Sequence, residues 1–161
     1  MKTLLILAMI VATAAADQIT KLAVLRSLSP GEVHAFAPGF NLTLGFNEGA
    51  SFGMMSDFMA GRPLLMVALT GALAIIFAGM AFRADTRREG IGLALIVGGA
   101  VGNIIDRLRQ GAVTDFLDVY WRDWHWPTFN GADIAISLGA LLVLTAMLRP
   151  SRSKELSFDR T

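Results

Sequence analysis

Acidic and amide side chains recur where long apolar runs of this chain end. Asp17 and Lys21 close the first run, Asn103, Asp106 and Arg107 close the third, and Asn130 and Asp133 open the fourth. Asp115 and Asp118 lie between the last two runs, and Asn47 lies in an earlier connecting segment. Two carboxylates held close in a low-dielectric setting cannot both ionise, so they share one proton. The ionised partner can take a proton from water, and the protonated partner can polarise a peptide carbonyl. That is acid–base hydrolysis without a metal or a covalent intermediate. Asp17, Asp106, Asp115, Asp118 and Asp133 are the candidates. Asp133 would be fixed at a helix start. Asp115, in Val113-Thr114-Asp115-Phe116, has an apolar setting that would hold a carboxyl and raise its pKa. Spacing alone does not choose the pair.

Other chemistries are poorly served. The 161 residues include no Cys, which excludes a thiol nucleophile, a disulfide scaffold and a Cys-ligated metal. There is no G-x-S-x-G, no H-E-x-x-H and no phosphate loop. His34 and His125 fit no metal-ligand spacing and read as surface residues, so no metal and no cofactor are expected. The net charge of +1 gives no reason to expect nucleic acid as a partner.

The same residues have structural readings. Asp17 and Lys21 have i,i+4 spacing, acid first, and can form an intrahelical ion pair. Asp106-Arg107 can be a helix end meeting water. Asn103 on a Gly-rich helix can bond between helices, and Gly98 and Gly102 have the G-x-x-x-G spacing of helix packing. Asn130 with Asp133 three residues on reads as an N-cap.

The elements that must position these groups are membrane helices. Hydrophobic residues make up 54% of the chain and charged residues 17%, below the roughly 25% usual for a soluble domain. A spanning helix needs about 20 mostly apolar residues. Four spans are expected, at about 4–25, 63–82, 90–108 and 131–148, within one membrane-embedded domain over 1–161. The run from Lys2 to Ala14-Ala15-Ala16 also fits a cleavable signal peptide. The Asp17/Lys21 spacing favours a retained helix. Lys2, Arg83, Arg87, Arg88, Arg149, Arg152, Lys154 and Arg160 flank one side of these spans. The positive-inside rule then places both termini in the cytoplasm and the segments 26–62 and 109–130 outside. The polar groups converge on that outer level.

The outer segments carry their own signals. Phe40, Leu42, Leu44 and Phe46 alternate with Asn41, Thr43, Gly45 and Asn47, a strand pattern, and Val33, Ala35 and Ala37 hint at a partner strand. All three Trp and the only Tyr fall within Tyr120–Trp126. Such a cluster suits the headgroup level and suggests a segment lying on the membrane, the alternative being a packed aromatic loop. Residues 151–161 read as a polar, poorly ordered tail. The fold class expected is all-α membrane protein, four spans with a small extracytoplasmic β element.

Four blocks resemble the signal peptidase II family, the bacterial lipoprotein signal peptidases. They are Asp17-Gln18-Ile19-Thr20-Lys21, Asn47-Glu48-Gly49-Ala50-Ser51-Phe52, Gly102-Asn103-Ile104-Ile105-Asp106-Arg107 running on to Gly111-Ala112-Val113-Thr114-Asp115-Phe116, and Phe129-Asn130-Gly131-Ala132-Asp133. The resemblance implies an aspartic endopeptidase of the bacterial inner membrane whose catalytic dyad is Asp115 and Asp133. Asp17, Lys21, Asn47, Gly49, Asn103, Asp106, Arg107, Asn130 and Ala132 match its supporting and substrate-binding positions. The implied substrate is a diacylglyceryl-modified prolipoprotein, cut before the lipidated Cys by a monomeric enzyme in contact with membrane lipid. A transporter would instead place ionisable groups near the membrane midplane. The second and fourth spans carry none there.

Overall fold

The computed structural model describes residues 2–49 and 61–148. Ala50, Ser51 and Phe52, the tail 151–161 and the basic residues of the C-terminal segment lie outside the described residues.

The described residues form four helices and four strands. They are α1 (Lys2–Ser27), β1 (Val33–Ala37), β2 (Phe40–Asn47), α2 (Pro63–Arg83), α3 (Arg87–Gln110), β3 (Val113–Trp121), β4 (Trp124–His125) and α4 (Gly131–Met147). Local chemistry sets the helix ends. Pro63 stands at the start of α2, where its missing N–H costs nothing. The Thr86 hydroxyl caps α3 by accepting from the Glu89 N–H. Gly111, at φ 82°, ends α3 in the left-handed conformation and turns the chain into β3.

α1, α2 and α3 are long and apolar enough to cross a membrane, whereas the apolar α4 has 17 residues. The protein is a multi-pass membrane protein. Its helical bundle is centred on α3. Ile6, Ala81, Ala84, Leu93 and Ala94 form the apolar core near the start of that helix. Glycine lets the neighbours approach α3 closely. A Cβ on Gly99 would stand 2.5 Å from the Ala132 carbonyl oxygen of α4, and one on Gly102 would overlap the Asp17 carboxylate of α1. A Cβ on Gly98 would stand 2.6 Å from Thr13 Cβ of α1, so the Gly98/Gly102 G-x-x-x-G spacing is a packing seam between α1 and α3.

The sheet is larger than the sequence pattern implied. β1 and β2 pair antiparallel as expected, and β2 then pairs antiparallel with β3. The full order is β1-β2-β3-β4. The segment 109–130 was not expected to hold a strand, yet Val113–Trp121 is the strand that joins the sheet to the helices. The packed aromatic loop is also corrected. Trp121, Trp124 and Trp126 are exposed around the short β3–β4 hairpin rather than packed inward.

Candidate active site

Three elements bring Asp115 and Asp133 together. Asp115 is buried on β3, directly opposite Gly45 of β2. Beyond the hairpin the chain returns to β3. There Phe129 exchanges backbone hydrogen bonds with Leu117 at 2.8 and 3.1 Å. That return places Asn130 beside Asp115 at the moment α4 begins. Asn130 is fully buried and forms a capping box. Its Oδ1 accepts the Asp133 N–H at 3.1 Å, and Asp133 Oδ2 accepts the Asn130 N–H at 3.1 Å. Its Nδ2 donates to Asp115 Oδ1 at 2.7 Å. One side chain thus caps the helix that carries one carboxylate and holds the other.

Each carboxylate has further donors. Asn47 Nδ2 donates to Asp115 Oδ2 at 3.0 Å, and the Gly49 N–H donates to Asn47 Oδ1 at 2.8 Å. Gly49 has φ 100°, a backbone conformation that favours glycine at the turn leaving β2. Asn103 Nδ2 donates to Asp133 Oδ1 at 3.2 Å. Burial pushes the Asp115 carboxyl up to about 6, against the opposing effect of the Asn47 and Asn130 hydrogen bonds. The nearby Asp133 charge adds to the rise.

Behind this pair lies a buried ionic cluster. Lys21 is 1% exposed, and its Nζ meets Asp17 Oδ2 at 2.9 Å, Asp106 Oδ2 at 3.0 Å and Asn103 Oδ1 at 2.8 Å. Two carboxylates and an amide satisfy the three ammonium protons. The two carboxylates also tie the cluster to the backbone. Asp17 Oδ1 accepts the Ala132 N–H at 2.8 Å, and Asp106 Oδ2 accepts the Thr114 N–H at 3.0 Å. Asp17 therefore reaches the first turn of α4, and Asp106 reaches the start of β3. Asp106 is 4% exposed, so the reading of a helix end meeting water is corrected. Arg107, on the same turn, interacts electrostatically with Asp115, Asp133 and Asp106. Its Nε is buried without a hydrogen-bond partner among the described residues.

Asp118 is the candidate carboxylate that the structure removes from the group. Three residues from Asp115 along a strand, it faces the other side of the sheet. It accepts from Asn41 Nδ2 at 2.8 Å and contacts His125 Nδ1 at 2.8 Å. Burial works to raise its pKa, but these two hydrogen bonds prevail and hold it below the usual carboxylate range. His125 is surface-exposed as expected, but it is engaged with Asp118 and stacked on Tyr120.

Sequence reasoning missed two contributors. Gln18 Nε2 donates to Asp106 Oδ1 at 2.9 Å and to the Gly102 carbonyl at 3.1 Å. A polar side chain beside Asp17 in an apolar run was its signal. Thr114 is fully buried and presents the N–H that holds Asp106. Its backbone role leaves no signal in residue type.

Each carboxylate lines a cavity. One of about 520 Å³ is lined by Asn47, Phe129, Asp133, Ile134, Ser137 and Leu138, among others. Another of about 480 Å³ is lined by Gly45, Phe46, Asn47, Glu48 and Asp115, with Pro127 and Thr128 shared by the two.

Known proteins resemble this chain in sequence and in fold. The family model for signal peptidase (SPase) II matches residues 9–149. A lipoprotein signal peptidase of Burkholderia mallei (strain SAVP1) is 45% identical over 137 residues, covering 84% of this chain and 82% of that protein. The lipoprotein signal peptidase of Geobacter metallireducens is 44% identical over 138 residues, covering 84% and 85%. Two solved structures of a bacterial membrane enzyme superpose with TM-scores of 0.78 and 0.80 at 27% and 26% identity. They cover 91% and 96% of this chain, and 94% of each of those chains is matched. The chain belongs to the signal peptidase II family and is a peptidase.

Proposed function

We propose that this protein removes the signal peptide from diacylglyceryl-modified prolipoproteins, cutting before the lipidated Cys by aspartic catalysis. The observation that carries the reading is the double engagement of Asn130, whose side chain holds the Asp115 carboxylate and caps the helix whose first turn carries Asp133. The names of the relatives, lipoprotein signal peptidases, support the substrate class.

In this reading Asp115, whose burial favours the protonated form, carries the proton the pair shares. Asp133 lies in the first turn of α4, where a helix N-terminus stabilises a carboxylate. Water adds to the scissile carbonyl carbon as Asp133 takes its proton and Asp115 gives its proton to the carbonyl oxygen. Collapse of the diol breaks the C–N bond. The leaving nitrogen takes the proton from Asp133, and a hydroxyl proton returns to Asp115. Asp17, Lys21, Asn103, Asp106, Asn130 and the Ala132 N–H keep the two acids in register. Asn47, oriented by Gly49, and Arg107 face the substrate. The reaction needs no cofactor.

In this reading α4 completes a set of four spans, both termini are cytoplasmic, and the site opens at the outer surface of the bacterial inner membrane. A lipid-anchored substrate keeps its scissile bond at that surface, the level at which the acids gather. The enzyme acts as a monomer. The test is cleavage by purified protein in detergent, with a diacylglyceryl-modified prolipoprotein and its unmodified form as substrates. Cleavage of the modified form alone, lost in Asp115→Asn, is the expected result. No cleavage by folded wild type overturns the proposal.

A further inference from the structure

A second polar and apolar junction lies at the opposite end of the bundle. α1 and α3 run parallel, with Ile6 near Gly90 at one end and Asp17 against Gly102 at the other. The 13 residues from Gly90 to Gly102 separate the two ends by roughly 18 Å of helix. At the Gly90 end a cavity of about 480 Å³ is lined by Lys2, Leu5, Ile6, Asp85, Arg87, Gly90 and Ile91.

Its chemistry is divided. Leu5, Ile6, Gly90 and Ile91 make an apolar floor, and a Cβ on Gly90 would meet Ile6 Cδ1 at 3.7 Å. Lys2 and Arg87 stand at the rim and are exposed. Lys2 Nζ donates to the Ala84 carbonyl, which holds this ammonium beside the α2–α3 turn. Arg83 and Arg88 flank the same turn, so its cations, with Lys2, outnumber Asp85 and Glu89. A basic rim over an apolar floor, at the end of membrane-crossing helices, complements a phosphate joined to acyl chains. A soluble anion would leave the floor unused.

We propose that this cavity binds an anionic glycerophospholipid, with its phosphate on Lys2 and Arg87 and an acyl chain along Leu5, Ile6 and Ile91. The Asp85 carboxylate is placed to accept from hydroxyls of a glycerol head group. The lipid joins the first turns of α1 to the α2–α3 turn. It acts far from the carboxylate site and does not depend on the reaction assigned there.

The test is native mass spectrometry and thermal unfolding of the full purified chain in detergent, titrated with dioleoyl phosphatidylglycerol. Bound-lipid adducts and a rise in Tm are expected. Affinity should fall roughly tenfold or more in Lys2→Gln/Arg87→Gln, since each basic group near a membrane surface contributes to anionic lipid attraction. Arg88→Gln removes the same kind of charge outside the cavity and should bind as wild type. Gly90→Leu keeps every charge but fills the floor, and should also lose the adduct. Cleavage activity in detergent is unchanged in all three. Equal binding of phosphatidylethanolamine overturns the proposal. So does an equal Tm rise with inorganic phosphate, or undiminished binding by both Lys2→Gln/Arg87→Gln and Gly90→Leu.

Discussion

The Asn130 side chain donates to Asp115 Oδ1 at 2.7 Å across the junction between a strand and a helix. Because the same side chain caps α4, the position of Asp115 and the start of the helix that carries Asp133 are one structural fact. Asn130→Ser separates the two roles. Serine caps a helix nearly as well as asparagine but is too short to reach Asp115. Stability should fall by about 1–3 kcal/mol, the cost of one unmet buried hydrogen bond, with the helix still capped, while cleavage falls about 10- to 100-fold, on the scale of a displaced acid–base group. Cleavage at the wild-type rate would show that Asp115 needs no such tether.

Asp133→Asn keeps the size of the side chain and can still accept the Asn130 N–H. Cleavage should fall by roughly 10²- to 10⁴-fold, the range of general acid–base catalysis, with folding and membrane insertion intact. A folded Asp133→Asn protein with wild-type turnover would remove this residue from the dyad.

The raised pKa of Asp115 sets a direction with pH. The protonated form is lost as pH rises through about 6, so kcat/KM should decline on that alkaline limb. The value read from the profile belongs to the pair of acids. Stability follows the same sign. A carboxyl raised from 3.8 to about 6 favours the fold below that window and withdraws its contribution as pH climbs through it. Asp115→Asn should flatten Tm between pH 4 and 6.5 relative to wild type, because it removes the titrating group. An unchanged slope would assign the effect elsewhere.

Removing Lys21 alone strands two buried carboxylates. Lys21→Met should cost on the order of 3–5 kcal/mol and sharply reduce folded protein in membranes. The triple variant Asp17→Asn/Lys21→Met/Asp106→Asn has no charge left to strand and should recover part of the loss. Quantitation of folded protein by size-exclusion after detergent extraction measures both. A Lys21→Met protein as stable as wild type would contradict the role given to the cluster.

Two glycines make a matched pair of probes. A Cβ on Gly102 would overlap the Asp17 carboxylate, whereas one on Gly71 of α2 meets nothing within 4 Å. Gly102→Ala should push α1 from α3, lower Tm and depress cleavage through Asp17 and Lys21. Gly71→Ala should be neutral or stabilising by up to about 1 kcal/mol from helix propensity. Equal Tm values for the two variants would refute the close contact.

Much of this architecture can be read from residue order. Apolar runs locate the helices within a few residues, since water exclusion over a membrane's thickness demands long uncharged stretches. The alternation of Phe40–Asn47 announces β2, and the Asn130/Asp133 spacing announces the capping box. These signals are local, and local geometry fixes them. β3 escaped because its two faces are both largely buried at Val113–Phe116, which erases the polar alternation of a half-exposed strand. The run of β-branched and aromatic residues from Val113 to Trp121 was the remaining signal.

The sequence by itself determined that acids and amides would stand at the ends of membrane helices, because charge is excluded from the apolar runs between them. Only the tertiary structure decided which of them meet. Asp115 faces the helices and Asp118 faces away because of strand register, which β2 and Phe129 set from distant parts of the chain. Ala132 matters through its N–H and Gly102 through the side chain it lacks, so neither residue type reveals its role. Contacts such as Asp17 to Ala132 join residues far apart in the chain, and packing around α3 brings them within hydrogen-bond reach.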